Sequence, residues 1–92
     1  MYEIIPSRRF RRSYKKVRRS GQFERERLRA ALEFLREGIP LPFSYQDHLL
    51  LGEYQEYREC HLKGDLLLIY EIRDHLKEVI LVDIGSHSDL FG

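Results

Sequence analysis

The residues from Tyr57 to Tyr70, YRECHLKGDLLLIY, decide how the rest of the chain is read. Leu66, Leu67, Leu68 and Ile69 form an unbroken apolar run bounded by turn chemistry. It is too short for a spanning or long buried helix, so it reads as a central strand covered on both faces. The residues before it supply the other arm of a hairpin. With Leu62-Lys63-Gly64 as a three-residue loop, and Gly64 giving the positive φ of a bulged turn, His61 falls opposite Asp65 on one face of the sheet. Glu59 shares that face because strand side chains alternate with a period of two. A two-residue loop at Lys63-Gly64 would separate His61 from Asp65; the three-residue register is the one expected.

Working outward, Tyr2 to Ile5 followed by Pro6 suits an edge strand. Ser7 offers an N-cap to a first helix with Phe10, Tyr14 and Val17 on its apolar stripe, and Ser20-Gly21 stops it. A second helix begins near Phe23, carries Leu28, Ala31, Leu32 and Leu35 on one face, and ends at Gly38 before Pro40. The two helices are expected to be antiparallel. Leu41 to Leu51 has no helical stripe and reads as a connection that delivers Tyr45, Asp47 and His48 to the sheet. Tyr54 to His61 and Asp65 to Ile72 make the hairpin, and Arg73-Asp74-His75 turns the chain into a last strand, about Leu76 to Ile84. The segment from Gly85 to Gly92 is apolar enough at its end to fold back. The expectation is an α+β domain spanning residues 1–92, with a small sheet of about four strands, antiparallel with a mixed edge, and two N-terminal helices packed on one face.

A 92-residue chain buries only about 60–65% of the surface its unfolded form exposes, which allows one modest core. No apolar run approaches the roughly 20 residues of a membrane span, and Met1-Tyr2-Glu3 does not open an export signal, so a cytoplasmic protein with no membrane partner is expected. The single cysteine, Cys60, excludes an internal disulfide framework and is read as a small buried hydrophobe. The net charge of +1 hides a division: residues 1–40 carry 12 Lys/Arg against 5 Asp/Glu, and residues 41–92 carry 4 against 10. The basic half suits a polyanion, while the acidic half can hold carboxylates beside histidines.

Three of the four histidines stand where core packing does not explain them: His48 in a connection, His61 at a strand end, His87 after the last strand. All can converge at one end of the sheet, with His75 at the other. The chain has no Gly-rich phosphate loop, no Cys-x-x-Cys pair and no His-Glu-x-x-His helix. A histidine–carboxylate cluster beside a basic helix points to cleavage of RNA by its own 2′-hydroxyl. That reaction needs a base, an acid and positive charge on the phosphate, and histidine can supply all three at neutral pH. Two rivals remain: a metal site built from the same side chains, and a binding module in which the histidines are incidental.

The ordered set Tyr45-Gln46-Asp47-His48, Gly52, Tyr57-Arg58-Glu59-Cys60-His61-Leu62, Asp65-Leu66-Leu67-Leu68-Ile69-Tyr70 and Gly85-Ser86-His87-Ser88-Asp89-Leu90-Phe91 resembles the YafQ branch of the RelE/ParE toxin superfamily. The resemblance is close over residues 41–92 and one of arrangement alone over the first 40. It implies the RelE-like microbial RNase fold and a toxin of a type II toxin–antitoxin system, a ribosome-dependent mRNA endoribonuclease (an mRNA interferase) that needs no metal or other cofactor. It implies His48, His61, Asp65 and His87 as active-site residues, with Phe91 contributing. His87 would be the general acid, His48 and His61 would share base and phosphate-stabilising duties, Asp65 would orient a histidine, and Phe91 would stack on a base. Glu59 stands where the family has an aspartate, and Arg58 is read as structural or as an ion-pair partner. The implied partners are a DinJ-like antitoxin, mRNA in the ribosomal A site, and operator DNA only through the antitoxin complex. Ribosome binding is expected to rest on Arg8, Arg9, Arg11, Arg12, Lys15, Lys16, Arg18 and Arg19 and on the second helix's arginines. ParE-like relatives share the fold but attack another target.

Overall fold

The computed structural model describes residues 1–20, 25–52 and 56–92. The chain runs β1 (Glu3–Pro6), α1 (Arg8–Arg19), α2 (Arg25–Glu37), β2 (His48–Leu49), β3 (Arg58–Lys63), β4 (Leu66–Arg73), β5 (Glu78–Gly85) and α3 (His87–Phe91), with 3₁₀ turns at Phe43–Tyr45 and Asp74–Leu76. The five strands form one sheet in the order β1-β5-β4-β3-β2, with β1 parallel to β5 and the other pairs antiparallel. The α+β architecture and mixed edge are as expected, with one strand more. His48 and Leu49 pair with Glu59 and Arg58, so the connection contributes a strand too short to leave a periodic signal.

β4 is the centre of the sheet, and all five residues from Leu66 to Tyr70 are buried. On one face, Cys60, Leu62, Leu66, Leu68, Tyr70, Val79, Leu81 and Ile84 pack with Phe10, Val17, Leu28, Ala31 and Leu35 from the two long helices. Ser7 caps α1 by accepting from the Phe10 amide at 3.0 Å, and its hydroxyl donates to the Val82 carbonyl at 3.0 Å, which ties the helix start to β5. Arg8 and Arg9 lie at the helix's positive end, an unfavourable place for cations. An ion pair between Arg9 Nε and Asp83 Oδ2 at 2.9 Å offsets this for Arg9. Gly38, at φ +72°, turns the chain after α2. Gly21, Phe23 and Tyr54 lie outside the described residues.

The other face is covered by the fold-back of the C-terminus. Leu90 and Phe91 of α3 line a small cleft with Tyr57, Ile69 and Val82. Ser86 and Asp89 form a reciprocal capping box at the start of α3. A side chain at Gly85 would put its Cβ 3.1 Å from Asp89 Cβ, so α3 sits against β5 more closely than a residue with a Cβ allows without a shift of the helix.

The hairpin register differs from both sequence-based alternatives. His61 pairs with Leu67 and Lys63 with Leu66, leaving Leu62 as a bulge in β3 and Gly64-Asp65 as the turn. Leu62 is buried among the helices, and Arg27 Nε donates to its carbonyl, so the bulge is held by core packing and by a cation from α2. Gly64, at φ +56°, takes the first turn position. Asp65 is therefore a turn residue and does not face His61.

Candidate active site

The face of the sheet turned from α1 and α2 gathers the predicted side chains at one end. His48 and Glu59 are direct partners across β2 and β3, and His48 Nε2 lies 3.1 Å from Glu59 Oε2. His61 Nε2 lies 3.8 Å from the same oxygen, and the two imidazole rings are 6.3 Å apart. Glu59 is 4% exposed, and its second oxygen, Oε1, is buried without a hydrogen-bond partner among the described residues. A buried carboxylate with one oxygen unmatched is costly to stability.

His48 Nδ1 lies 2.7 Å from the Gln46 carbonyl. A carbonyl oxygen only accepts, so Nδ1 carries the proton of that bond and Nε2 is the nitrogen turned to Glu59. The contact between Nε2 and Oε2 is a hydrogen bond only while a further proton lies between them.

His87 enters from β5. Leu67 pairs with both His61 and Gly85, so His61, Leu67 and Gly85 form one row across β3, β4 and β5, and α3 begins two residues later with His87. Its Nδ1 lies 4.0 Å from Asp65 Oδ1, and its ring is 5.5 Å from that of Phe91. The structure thus brings the predicted residues together as two groups: Glu59 with His48 and His61, and Asp65 with His87. The expected pairing of Asp65 with His61 is replaced by the one with His87, because the bulge at Leu62 shifts Asp65 into the turn. His75 lies in the 3₁₀ turn that follows β4, away from this cluster.

Behind the histidines, Asp47 accepts from Arg58 Nε at 3.2 Å and Nη2 at 3.0 Å and from the Tyr70 hydroxyl. Burial, with Asp47 as hydrogen-bond acceptor, pushes the Tyr70 phenol above its ordinary range, while hydrogen bonding to Asp47 raises the Arg58 guanidinium. The reading of Arg58 as an ion-pair partner holds. Burial also pushes the Cys60 thiol up to about 12, which suits an inert core residue. Arg27 was not singled out from sequence. It donates to the carbonyls of Leu62, Ser44 and His61 and lies 3.8 Å above the Tyr45 ring, bracing the strand that carries His61. The sequence placed it only among the second helix's arginines, as a ribosome contact, because its partners in the fold lie 17 to 35 residues away.

All eight Lys and Arg residues of α1 are exposed. A cavity of about 470 Å³ opens on the helix side, where Asp47, Arg58 and Tyr70 meet Leu35, Ile39 and Ile72; none of the histidines lines it. Among the described residues, no group of three or more His, Cys, Asp or Glu is placed to hold a metal ion. No helix among them is long and apolar enough to cross a membrane.

Comparison with known proteins places the chain in a family. Over 54 residues the chain is 41% identical to the mRNA interferase toxin YafQ of Escherichia coli K12, a stretch covering 59% of this chain and 56% of that protein. The chain spans 56–59% of the length of the curated YafQ relatives it matches. Among solved structures, a metal-bound toxin from Helicobacter pylori superposes with a TM-score of 0.90 at 40% identity, covering 99% of this chain and 100% of that one. The toxin of the E. coli DinJ–YafQ complex superposes with a TM-score of 0.86 at 29% identity, with both chains fully covered. Residues 2–92 match the family described as the bacterial toxin of type II toxin–antitoxin systems, YafQ, and the chain belongs to that family.

Proposed function

We propose that this protein is a toxin that stops translation by cutting mRNA on the ribosome, through attack of the RNA's own 2′-hydroxyl, until a DinJ-like antitoxin neutralises it. The observation that carries the reading is the buried Glu59 carboxylate with the Nε2 atoms of His48 and His61 at 3.1 and 3.8 Å. Such a group can take a proton from a 2′-hydroxyl and hold positive charge against a phosphate whose negative charge grows in the transition state. His87, on the far side of the row and beside Asp65, is the general acid for the departing 5′-oxygen. Asp65 orients it, and Phe91 stacks on a base next to the cleaved bond.

The exposed cations of α1, from Arg8 to Arg19, supply long-range attraction to the ribosome and its RNA. The partner follows from the relative captured with DinJ: an antitoxin segment covers the basic surface and the histidine end of the sheet, and operator DNA is bound only through that complex. The site of action is the A site of ribosomes in the cytoplasm. The reaction is proposed to need no metal. The Helicobacter relative is metal-bound, so this point requires its own test.

Induced expression of the native chain should arrest growth and fragment messages. Co-expression of the antitoxin should prevent both, and His87→Ala should abolish them. Growth arrest that persists in His87→Ala with messages intact would overturn the reading and leave a toxin with another target.

A further inference from the structure

His48 stands in the shortest strand of the sheet. β2 pairs with β3 through His48 with Glu59 and Leu49 with Arg58, and just beyond it the Leu50 amide donates to the Tyr57 carbonyl at 2.9 Å; so short an edge strand has few backbone bonds with which to resist fraying. The residue before it, Asp47, turns its side chain to the opposite face. There Oδ2 takes Nε and Nη2 of Arg58 at 3.2 and 3.0 Å, and Oδ1 takes the Tyr70 hydroxyl. Arg58 and Tyr70 are cross-strand partners in β3 and β4, so Asp47 fastens the start of β2 to two longer strands at once. One residue earlier, Gln46 is left-handed, at φ 50° and ψ 42°. A residue with a Cβ holds that conformation only when its surroundings impose it. The left-handed turn directs the Gln46 carbonyl at His48 Nδ1, 2.7 Å away.

We propose that Asp47 is a positioning residue for RNA cleavage: clamped by Arg58 and Tyr70, it holds the Gln46 turn whose carbonyl keeps the proton on His48 Nδ1 and aims Nε2 at Glu59. The inference rests on the proposed role of His48 in the reaction. Asp47 itself meets no reacting atom. Without the clamp, the two-residue strand and the peptide before it are free to rearrange, and the imidazole can place its proton on either nitrogen. A misdirected imidazole presents an N–H where the chemistry needs a nitrogen that accepts, or turns away from Glu59 altogether.

The test uses the full chain in native, Asp47→Ala, Tyr70→Phe, His48→Ala and Asp47→Ala/His48→Ala forms. Nitrogen-15 NMR of the histidine rings reads which nitrogen of His48 carries the proton, and single-turnover cleavage of mRNA on ribosomes reads the chemical step. The native chain should show a water-protected Nδ1–H on His48. Asp47→Ala should lose it and slow cleavage on the order of 10–100-fold with an unchanged half-saturating concentration, and Tyr70→Phe should shift both readouts the same way by less. The double variant should cleave no more slowly than His48→Ala, since Asp47 acts through His48. An unchanged Nδ1–H in Asp47→Ala, or a double variant slower by the product of the single effects, overturns the inference. If Asp47→Ala does not fold, Tyr70→Phe carries both readouts, and an unchanged ring and rate in it overturn the inference. If the native chain leaves RNA intact, the proposed function fails, while the ring spectra still decide whether Asp47 sets the state of His48.

Discussion

Gly85→Ala separates the placement of His87 from the stability of the fold. Gly85 ends β5 with no left-handed backbone, so alanine fits its conformation and the conflict is purely one of space. The new Cβ would stand 3.1 Å from Asp89 Cβ, 3.4 Å from Asp89 Oδ2 and 3.5 Å from Leu90 Cδ2, all in α3. Relieving those contacts requires α3, and His87 with it, to withdraw by about 0.5 Å, given that carbon pairs settle at roughly 3.5–4.0 Å. Crowding of this kind costs about 1–3 kcal/mol in a closed core. A terminal one-turn helix can yield, so about 1 kcal/mol is expected, lowering the melting temperature by roughly 4–8 °C. The chemical cost is steeper: a 1 Å misplacement costs about 100-fold, so half that displacement costs about tenfold. Thermal unfolding and single-turnover mRNA cleavage, both on the purified variant, give the two numbers. Cleavage at the native rate in a variant whose melting temperature has fallen would refute the idea that α3 packing places His87.

Glu59→Gln keeps the shape of the buried side chain but removes its charge. Cleavage should fall on the order of 10²-fold, while urea unfolding should change by less than about 1 kcal/mol, because the carboxylate already leaves one oxygen unmatched among the described residues. Ser7→Ala deletes the α1 cap and the bond to Val82 and should cost about 1–2 kcal/mol in the same unfolding assay. The Cys60 thiol, raised by burial from 9.0 to about 12, stays protonated in the folded chain where it would ionise in the unfolded one. Its contribution to stability is therefore complete below pH 9 and lost as pH rises toward 12; urea midpoints should fall over that range, less steeply in Cys60→Ala. Replacing Arg11, Arg12 and Lys15 by alanine should weaken ribosome binding and shallow its log–log dependence on salt by roughly 0.7 per lost contact to single-stranded RNA, measured by sedimentation at several salt concentrations.

The readable parts of the fold were those set by local pattern. Leu66 to Ile69 announces a strand buried on both faces, Phe10, Tyr14 and Val17 announce a helix stripe, and Ser7 announces its cap. The parts that were misread depend on distant partners. Leu62 becomes a bulge because the core and Arg27 hold it, and nothing within the hairpin distinguishes that register from a three-residue loop. His48 and Leu49 form a strand only because β3 offers an open edge. At the site, Glu59 and His61 were placed together by alternation alone. The pairing of Asp65 with His87 required knowing where the bulge lies, and the partners of Asp47 stand 11 and 23 residues away, beyond any local signal.

The most direct test of the account is the chemistry of the cut ends. Purified native chain, stripped of transition metals and kept in a chelator that spares magnesium, would be given translating ribosomes, and the termini of the RNA fragments identified by mass spectrometry. Attack by the 2′-hydroxyl under histidine acid–base catalysis predicts undiminished cleavage, with a 2′,3′-cyclic phosphate on the upstream fragment and a 5′-hydroxyl on the downstream one. Cleavage that disappears in the chelator and returns with added metal, or fragments bearing a 5′-phosphate from the first time point, would contradict it.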